Sequence, residues 1–429
     1  MEVHTTIGAV LYKLKQSQDP QHQSSPLGAS GKGSIMERAL DSLAKDIEKD
    51  IVMFETSCQL LSRLTEMTSE NSSTNNQSKL PSFEPLPLMQ HIRTLVNDQF
   101  ATQLTSPAFI EASSYKVLDP LGPNTVSAWK GRSQDGKTYV ILNDTAYPDN
   151  VPPPIIRKTV QHLACMLSPS EVMLFGLPQC IALIRHGPTK FRYVLSLPAE
   201  CVTPVSLRSK YTDVEPSLSV KISYAKTLCR AVMFLHTANS VHKSIRPDNI
   251  IVTNDSPQER RKLFLIGLEQ IRAQYDHSAL RSDMEWYKNI YRHPDRQGLC
   301  VQDFYLVQHD IYSLGVCLLE LGLWSSFVVH SQGGAQVPTP NPRLEIDSLQ
   351  QGRSKPRSIQ QRFIAMTKTL LSAKTGDIYT EVVLSCLTCL EEDGVNQFKE
   401  PKSLDDEAGL LVGVAFIEKI MLRLENIVI

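Results

Sequence analysis

The first 67 residues divide into a polar stretch and a regular apolar stripe. Residues 1–34 contain much Gln, Ser, Gly and Pro and few large apolar side chains, which predicts a mostly disordered N-terminus. In residues 35–67 apolar positions recur every three or four residues, which predicts a long amphipathic helix. The stripe consists of Met36, Leu40, Leu43, Ile47, Ile51, Phe54, Cys58, Leu61 and Leu64. It must pack against the same chain or against a second copy, and the pattern leaves both alternatives open.

A second polar stretch follows this stripe. Residues 68–87 are rich in Ser, Asn and Thr and end in closely spaced prolines, which predicts a polar linker. Leu88–Phe100 then predicts a short helix. The chain therefore begins with a helical extension that a linker separates from the remaining residues.

Short apolar runs bounded by turn residues begin near residue 108 and predict a β-rich region. Asp135-Gly136, between two of these runs, is typical of a β-hairpin. The predicted strands are Tyr115–Leu118, Thr125–Lys130, Thr138–Leu142, Ile181–Arg185 and Phe191–Leu197. The predicted helices are Arg157–Leu167, Leu218–Thr237, Asp310–Leu323, Ile359–Leu371, Tyr379–Leu390 and Leu410–Ile427. A strand-rich half followed by a helix-rich half predicts an α+β protein with two lobes.

Composition narrows the classes of partner and compartment. The formal net charge of −1 gives no basic field, so we expect no nucleic-acid partner. The apolar run Ile311–Val329 contains Glu320, which favours a buried helix over a transmembrane segment. Nine scattered cysteines and the lack of a secretory signal predict a cytoplasmic protein. Cys386 and Cys389 have the spacing of half a zinc site, but without a second pair we expect core cysteines and no metal site.

One segment carries a recognisable motif. Val241–Val252 (VHKSIRPDNIIV) resembles the catalytic loop of eukaryotic protein kinases, with His242, Pro247 and Asn249 at matching positions. Leu263–Leu268 resembles the strand that leads into the Asp-Phe-Gly motif, with Gly267 as its glycine. The residues that follow His309 resemble the Asp-x-x-Ser-x-Gly start of the large buried helix, with Asp310 as its aspartate.

The resemblance covers roughly residues 108–429 and implies a two-lobed protein kinase-like fold. It places an N-lobe at about 108–200 and a C-lobe at about 201–429. It gives His242, Gly267 and Asp310 structural roles, in which Asp310 accepts hydrogen bonds from the backbone of the catalytic loop. These three residues are therefore expected to hold the loop in place.

Four further segments narrow the resemblance. His-Lys-Ser-Ile-Arg, Leu-Ile-Gly-Leu-Glu, Ile-Tyr-Arg-His-Pro and Leu-Glu-Leu-Gly-Leu-Trp are similar to those of a group of filamentous-fungal kinase-like proteins. Such proteins often carry an N-terminal helical domain of the prion-inhibition-and-propagation, or HeLo, type. Asp46–Ile51 would be the remnant of that domain. The resemblance implies a role in fungal incompatibility or defence signalling, through protein partners and self-association of residues 35–67.

The chemistry of the catalytic loop departs from the kinase pattern. Ser244 stands where the pattern has the aspartate base, and a neutral hydroxyl cannot act as that base. Arg246 stands at the position of the loop lysine. Asn249 matches a magnesium ligand but can also serve only as a hydrogen-bonding residue of the loop. We expect Asp248, between Pro247 and Asn249, to face solvent.

The predicted nucleotide cleft is degenerate as well. Leu265 replaces the magnesium-binding aspartate, and a hydrocarbon side chain cannot ligate a hard cation. We predict Leu142 at the position of the phosphate-binding lysine and Val140 at that of the small residue beside adenine. A shift of one or two residues would place Asn143 or Asp144 there instead, and neither is a better phosphate ligand. Gly122 is the one clear glycine in the segment that would cover the phosphates, and an ordinary hairpin turn is the favoured alternative for that segment.

These replacements favour a catalytically impaired pseudokinase that acts as a signalling or scaffold module and needs no cofactor. The alternative is a divergent, active ATP-dependent Ser/Thr protein kinase. Weak binding of ATP and Mg²⁺ is compatible with either hypothesis.

Overall fold

The computed structural model describes most of the chain from Pro107 to Val428. The residues outside the description are 1–106, 122–126, 137, 148, 150, 199–203, 239, 254–261, 269–270, 274–284, 298–304, 331–336, 343–355, 390–411, 413–415 and 429. The predictions for residues 1–34, 35–67 and 68–87, for the helix Leu88–Phe100 and for Gly122 therefore lie outside the described residues.

A six-stranded sheet forms the first lobe. Its strands are β1 (Phe109–Ile110), β2 (Tyr115–Pro120), β3 (Ala128–Ser133), β4 (Tyr139–Ala146), β5 (Gln179–Arg185) and β6 (Lys190–Ser196). Their order across the sheet is β1-β5-β6-β4-β3-β2, and every pair is antiparallel except β1 with β5. Gly136 takes a φ of +71° in the turn between β3 and β4, a conformation that glycine adopts without steric cost. The hairpin predicted at Asp135-Gly136 is present.

Among the described residues, one helix packs on this sheet. Helix α1 (Pro153–Met166) begins with two prolines, which are tolerated in the first turn because its N–H groups have no partner within the helix. Its apolar face buries Ile156, Val160 and Leu163. The helix contacts β5 and begins four residues before the predicted start at Arg157.

The second lobe is mainly helical. Its helices are α2 (Leu207–Lys210), α3 (Leu218–Thr237), α4 (Trp286–Asn289), α5 (Val307–Leu323), α6 (Pro356–Met366), α7 (Ser372–Thr375), α8 (Asp377–Leu387) and α9 (Leu422–Glu425). Two π-helical segments, Thr367–Leu371 and Ile417–Met421, lead into α7 and α9. Every residue of α5 is buried, so this helix forms the centre of the lobe. Among the described residues, no helix is both long and apolar enough to cross a membrane.

Short strands fix the loops that lie between the helices. They are β7 (Pro204–Ser206), β8 (Ser240–Val241), β9 (Ile250–Thr253), β10 (Leu263–Leu265), β11 (Arg272–Ala273), β12 (Val328–His330) and β13 (Pro338–Pro340). Strand β9 pairs with both β7 and β10, and β8 pairs with β11. The predicted catalytic loop lies between β8 and β9.

The order of these elements gives the molecule its fold class. A β-rich lobe that carries one long helix precedes a helical lobe built around a buried central helix. This is an α+β, two-lobed, protein kinase-like fold, as the sequence predicts.

Candidate functional site

Asp310 organises the loop that follows β8. Its carboxylate is fully buried and accepts hydrogen bonds from the backbone N–H of His242 at 2.6 Å and of Lys243 at 2.9 Å. Lys243 takes a φ of +64°, a left-handed conformation that is uncommon for a residue with a Cβ. The hydroxyl of Tyr305 donates a further bond to the carboxylate at 2.8 Å. The carboxylate therefore stabilises a strained backbone turn.

The charge of Asp310 is retained although the group is buried. Burial alone would raise the pKa of its carboxyl. The interactions with His236 and His242 outweigh burial, so the pKa lies below its ordinary value. An ionised Asp310 is thus part of the folded structure at neutral pH.

His242 connects the loop to β10. Its Nε2 lies 2.9 Å from the carbonyl oxygen of Ile266, and its Nδ1 accepts a bond from the N–H of Ser244 at 3.3 Å. Because a carbonyl oxygen only accepts, Nε2 carries a proton in this contact. The backbone N–H of Ile266 in turn donates to the carbonyl of Asn249 at 2.8 Å. The imidazole therefore has a structural role.

Ser244 and Asn249 bind each other inside the loop. The Nδ2 group of Asn249 donates to the carbonyl oxygen of Ser244 at 2.8 Å and to its Oγ at 2.9 Å. Both residues are buried. Gly267, with a φ of +94°, packs so closely that a Cβ there would lie 2.5 Å from this same amide nitrogen. The serine hydroxyl is thus an acceptor within a closed loop and has no neighbouring base among these contacts.

Leu265 lies at the end of β10, one residue before Ile266. Its side chain is fully buried, and its backbone N–H donates to the carbonyl of Gly176 at 2.8 Å. A leucine contributes no oxygen, whereas Mg²⁺ requires oxygen ligands. The residues at the two matching positions, Leu265 and Asn249, therefore do not fit a pair of kinase magnesium ligands.

Val140 and Leu142 belong to the apolar interior of the sheet lobe. Both are buried in a cluster with Ala182, Ile184 and Val194. The side chain of Leu142 lies over Gly131, where a Cβ would be only 2.7 Å away. Their assignment to phosphate and adenine contacts stays a prediction.

Asn143 is the residue of β4 that faces the second lobe. Successive side chains of a strand point to opposite faces, so Asn143 lies on the face opposite Leu142. Its Oδ1 accepts hydrogen bonds from the N–H of Gly267 at 3.1 Å and of Leu268 at 3.0 Å. An amide thus reaches the segment after β10 from the position that follows Leu142, within the shift of one or two residues that the sequence leaves open.

Helix α1 supplies no acidic partner for this position. Residues 155–167 contain no Asp or Glu, and the first turn of the helix has none. An uncharged Asn143 requires no carboxylate partner. The uncharged side chain in β4 and the lack of an acid in α1 are therefore consistent with each other.

Asp248 is buried, contrary to the expectation that it faces solvent. Its two carboxylate oxygens accept bonds of 2.7 Å from Nε and Nη2 of Arg208, which follows β7. The exposed fraction is 1% for the Asp248 side chain and 3% for that of Arg208. Burial raises the pKa of Asp248, but the adjacent Arg208 guanidinium outweighs that effect and lowers it overall. Arg246 lies 3.7 Å from the same carboxylate.

The Arg208–Asp248 pair continues into α5. Arg208 also donates to Oγ of Ser326 at 2.6 Å and to the hydroxyl of Tyr291 at 3.1 Å. Tyr291 donates to Glu320 at 2.8 Å, and the backbone N–H of Phe327 donates to the same oxygen. Burial raises the pKa of Glu320 to about 7. We call Arg208, Asp248, Tyr291, Glu320 and Ser326 the buried polar cluster.

Comparison with known proteins finds similar chains among solved structures. No protein-family model and no curated protein matches the sequence. The chain is similar to a protein chain in the structure of the CAK complex from Chaetomium thermophilum bound to ATP-gamma-S, with 16% sequence identity and a TM-score of 0.41. The match covers 75% of this chain and 92% of that chain. The nucleotide and the complex belong to that protein and are not transferred to this chain.

Proposed function

We propose that this chain is a pseudokinase: a protein kinase-like module that serves protein partners in signalling or as a scaffold, without transferring phosphate. The observation that carries the proposal is the contact between Ser244 and Asn249. The residue at the base position is a serine whose Oγ accepts a bond from the Asn249 amide, and both are buried. A kinase requires a carboxylate at this position to orient the substrate hydroxyl and accept its proton.

Two energetic considerations support the proposal. General-base assistance is worth about 10²–10⁴ in rate, and Ser244 does not supply it. Leu265 offers no oxygen to a magnesium ion that would offset the charge of the transferred phosphate. We therefore propose that the chain has no resident cofactor. A thermal-shift measurement distinguishes weak binding of Mg-ATP from no binding.

Two measurements on the purified full chain test this function. Incubation with γ-labelled ATP is expected to give no label on the chain or on general protein substrates. Millimolar Mg-ATP is expected to leave the melting temperature unchanged, whereas a ligand at 100 times its dissociation constant would stabilise the chain by about 2.7 kcal/mol. Robust phosphorylation by the wild type would overturn the proposal and establish the divergent kinase.

A matched pair of variants shows which group is missing. Ser244→Asp restores a carboxylate but leaves Leu265 in place, so it is expected to stay inactive. Ser244→Asp combined with Leu265→Asp restores both groups. A gain of activity in the double variant alone would show that these two positions limit the chemistry, and activity in the wild type would show that neither does.

We further propose a cytoplasmic role in fungal incompatibility or defence signalling, with self-association through residues 35–67. The resemblance of four segments to those of filamentous-fungal kinase-like proteins supports this role, and the described cysteines, all free thiols, support the compartment. The molar mass of the full chain in solution tests self-association. Ile47→Asp, in the apolar stripe, is expected to lower the mass, and Lys45→Asp, outside the stripe, to leave it unchanged. A monomeric wild type would contradict the proposal.

A further inference from the structure

An apolar groove lies at the edge of the sheet lobe, away from the catalytic loop. It has a volume of about 460 Å³ and is open to solvent. Its walls include Phe109, Pro153, Pro154, Pro188 and Phe191. Proline has no N–H, so much of this wall offers no hydrogen-bond donor to water. The groove is thus a surface that gains from being covered by apolar groups.

Two arginines give the groove its charge. Arg157 and Arg185 both line it, and the Arg157 guanidinium lies 5.6 Å from the centre of the Phe109 ring. Both arginines are exposed, and neither forms an ion pair with another residue in the described part of the chain. The first turn of α1, which carries Arg157, contains no acid. The groove therefore favours an occupant that combines apolar side chains with a carboxylate.

We propose that residues 80–87 of the same chain occupy this groove. This segment, Leu-Pro-Ser-Phe-Glu-Pro-Leu-Pro, places Phe83 and Leu86 on either side of Glu84 and Pro85. Its three prolines restrict it to extended conformations, so little entropy is lost when it binds an aromatic-lined groove. The negative charge of the Glu84 carboxylate is complementary to the positive charges of Arg157 and Arg185. The proposal is independent of whether the cleft binds nucleotide.

Because residues 80–87 are covalently linked to the residues that form the groove, they bind it more readily than a separate peptide of the same sequence would. The described chain begins at Pro107, and Phe109, two residues later, already lines the groove. The intervening residues 88–106 span up to about 60 Å when extended and about 30 Å when helical, enough to return to the groove in either case. A tethered segment is present at an effective concentration in the millimolar range. A contact whose dissociation constant lies below that range is therefore occupied most of the time.

Hydrogen–deuterium exchange on the full chain tests the proposal. The amides to follow are those of Ile155–Lys158, Arg185–Gly187 and Phe191, which lie in or beside the groove. Phe83→Asp is expected to speed their exchange by about fivefold or more, since a covered site becomes open. Asn76→Arg, in the preceding linker, is the control and is expected to change nothing.

A charge exchange tests the role of Glu84. Glu84→Arg and Arg157→Glu are each expected to speed exchange at the groove, and the two together are expected to restore protection. Equal exchange in the wild type and in all variants would overturn the proposal. Protection that disappears on dilution of the wild type would also overturn it, because a second copy would then be the occupant.

Discussion

Two buried aspartates of the helical lobe, Asp310 and Asp248, are held ionised in different ways. Asp310 is held by backbone N–H groups, by a tyrosine hydroxyl and by His236. Asp248 is held by both donor edges of Arg208. In each case the pKa lies below its ordinary value despite burial. The first arrangement shapes a loop, whereas the second joins distant segments, and the two should respond differently to mutation and pH.

Removal of Arg208 is the largest expected effect. Arg208→Met leaves Asp248 buried without its cation, which should lower the free energy of unfolding by about 3–5 kcal/mol. Urea denaturation followed by circular dichroism measures the change. The double variant Arg208→Met with Asp248→Leu should lose less than the sum of the single variants. Additive losses would mean that the two groups are not coupled.

The pH dependence of the free energy of unfolding distinguishes the buried polar cluster from the loop that Asp310 holds. The pKa of Glu320 is raised from 4.5 to about 7 by burial, so its protonated form is favoured in the folded state. Its contribution is fully present below about pH 4.5 and is lost as pH rises through 7, a change of about 3 kcal/mol. The free energy of unfolding, measured between pH 5 and 8, should fall, and Glu320→Gln should flatten that slope. If the slope were unchanged in Glu320→Gln, the pH dependence would arise from another group.

The acidic range shows the opposite sign for the aspartates. Because the pKa values of Asp248 and Asp310 are lowered, their stabilisation is present above the unfolded value near 3.8. It is lost as pH falls through their folded values. Both regions should therefore weaken in acid, and only the buried polar cluster should also weaken near neutrality.

Neutralising Asp310 should have a smaller effect than removing Arg208. Asp310→Asn keeps the shape of the side chain but weakens acceptance from His242 and Lys243, with an expected loss of about 2 kcal/mol. Thermal unfolding measures the loss in this variant. Gln161→Glu, an amide–carboxylate exchange of the same size in α1, is the control. A loss larger than that of Arg208→Met would reverse the ordering of the two aspartates.

The smallest expected loss of stability comes from Asn143, whose side chain is uncharged. Asn143→Leu removes the acceptor for the N–H groups of Gly267 and Leu268, with an expected loss of about 1–2 kcal/mol. Leu142→Ile, one residue earlier, alters only the apolar cluster and should cost less than about 1.5 kcal/mol. Faster amide exchange at Gly267 and Leu268 in Asn143→Leu alone would confirm that the contact is specific to Asn143.

The sequence predicted the features that depend on neighbouring residues. The hairpin at Asp135-Gly136, the helix Leu218–Thr237 and the buried helix that contains Glu320 follow from local turn chemistry and apolar spacing. The backbone bonds to Asp310, in the first turn of that helix, were implied by the resemblance to the protein kinase motif. Local rules thus gave the elements, and the resemblance gave the framework of the loop.

Features that depend on long-range geometry were not predicted. The contact of Asn143 with the segment after β10 could not be read from the sequence, because an apolar run does not show which of its alternate positions faces which side. The Arg208–Asp248 pair joins residues 40 positions apart, and its members reach Tyr291 and Glu320 much later in the chain. An isolated Arg or Asp in a sequence carries no sign of such a partner, and an exposed position is the more common one.

The two bonds from Asn143 to Gly267 and Leu268 have a mechanical consequence. One partner belongs to the sheet lobe, and the others belong to the segment that follows β10 in the helical lobe. Separation of the lobes at this point would have to break both bonds and replace them with bonds to water. The pair therefore opposes opening of the cleft and holds the sheet lobe against the segment that follows β10.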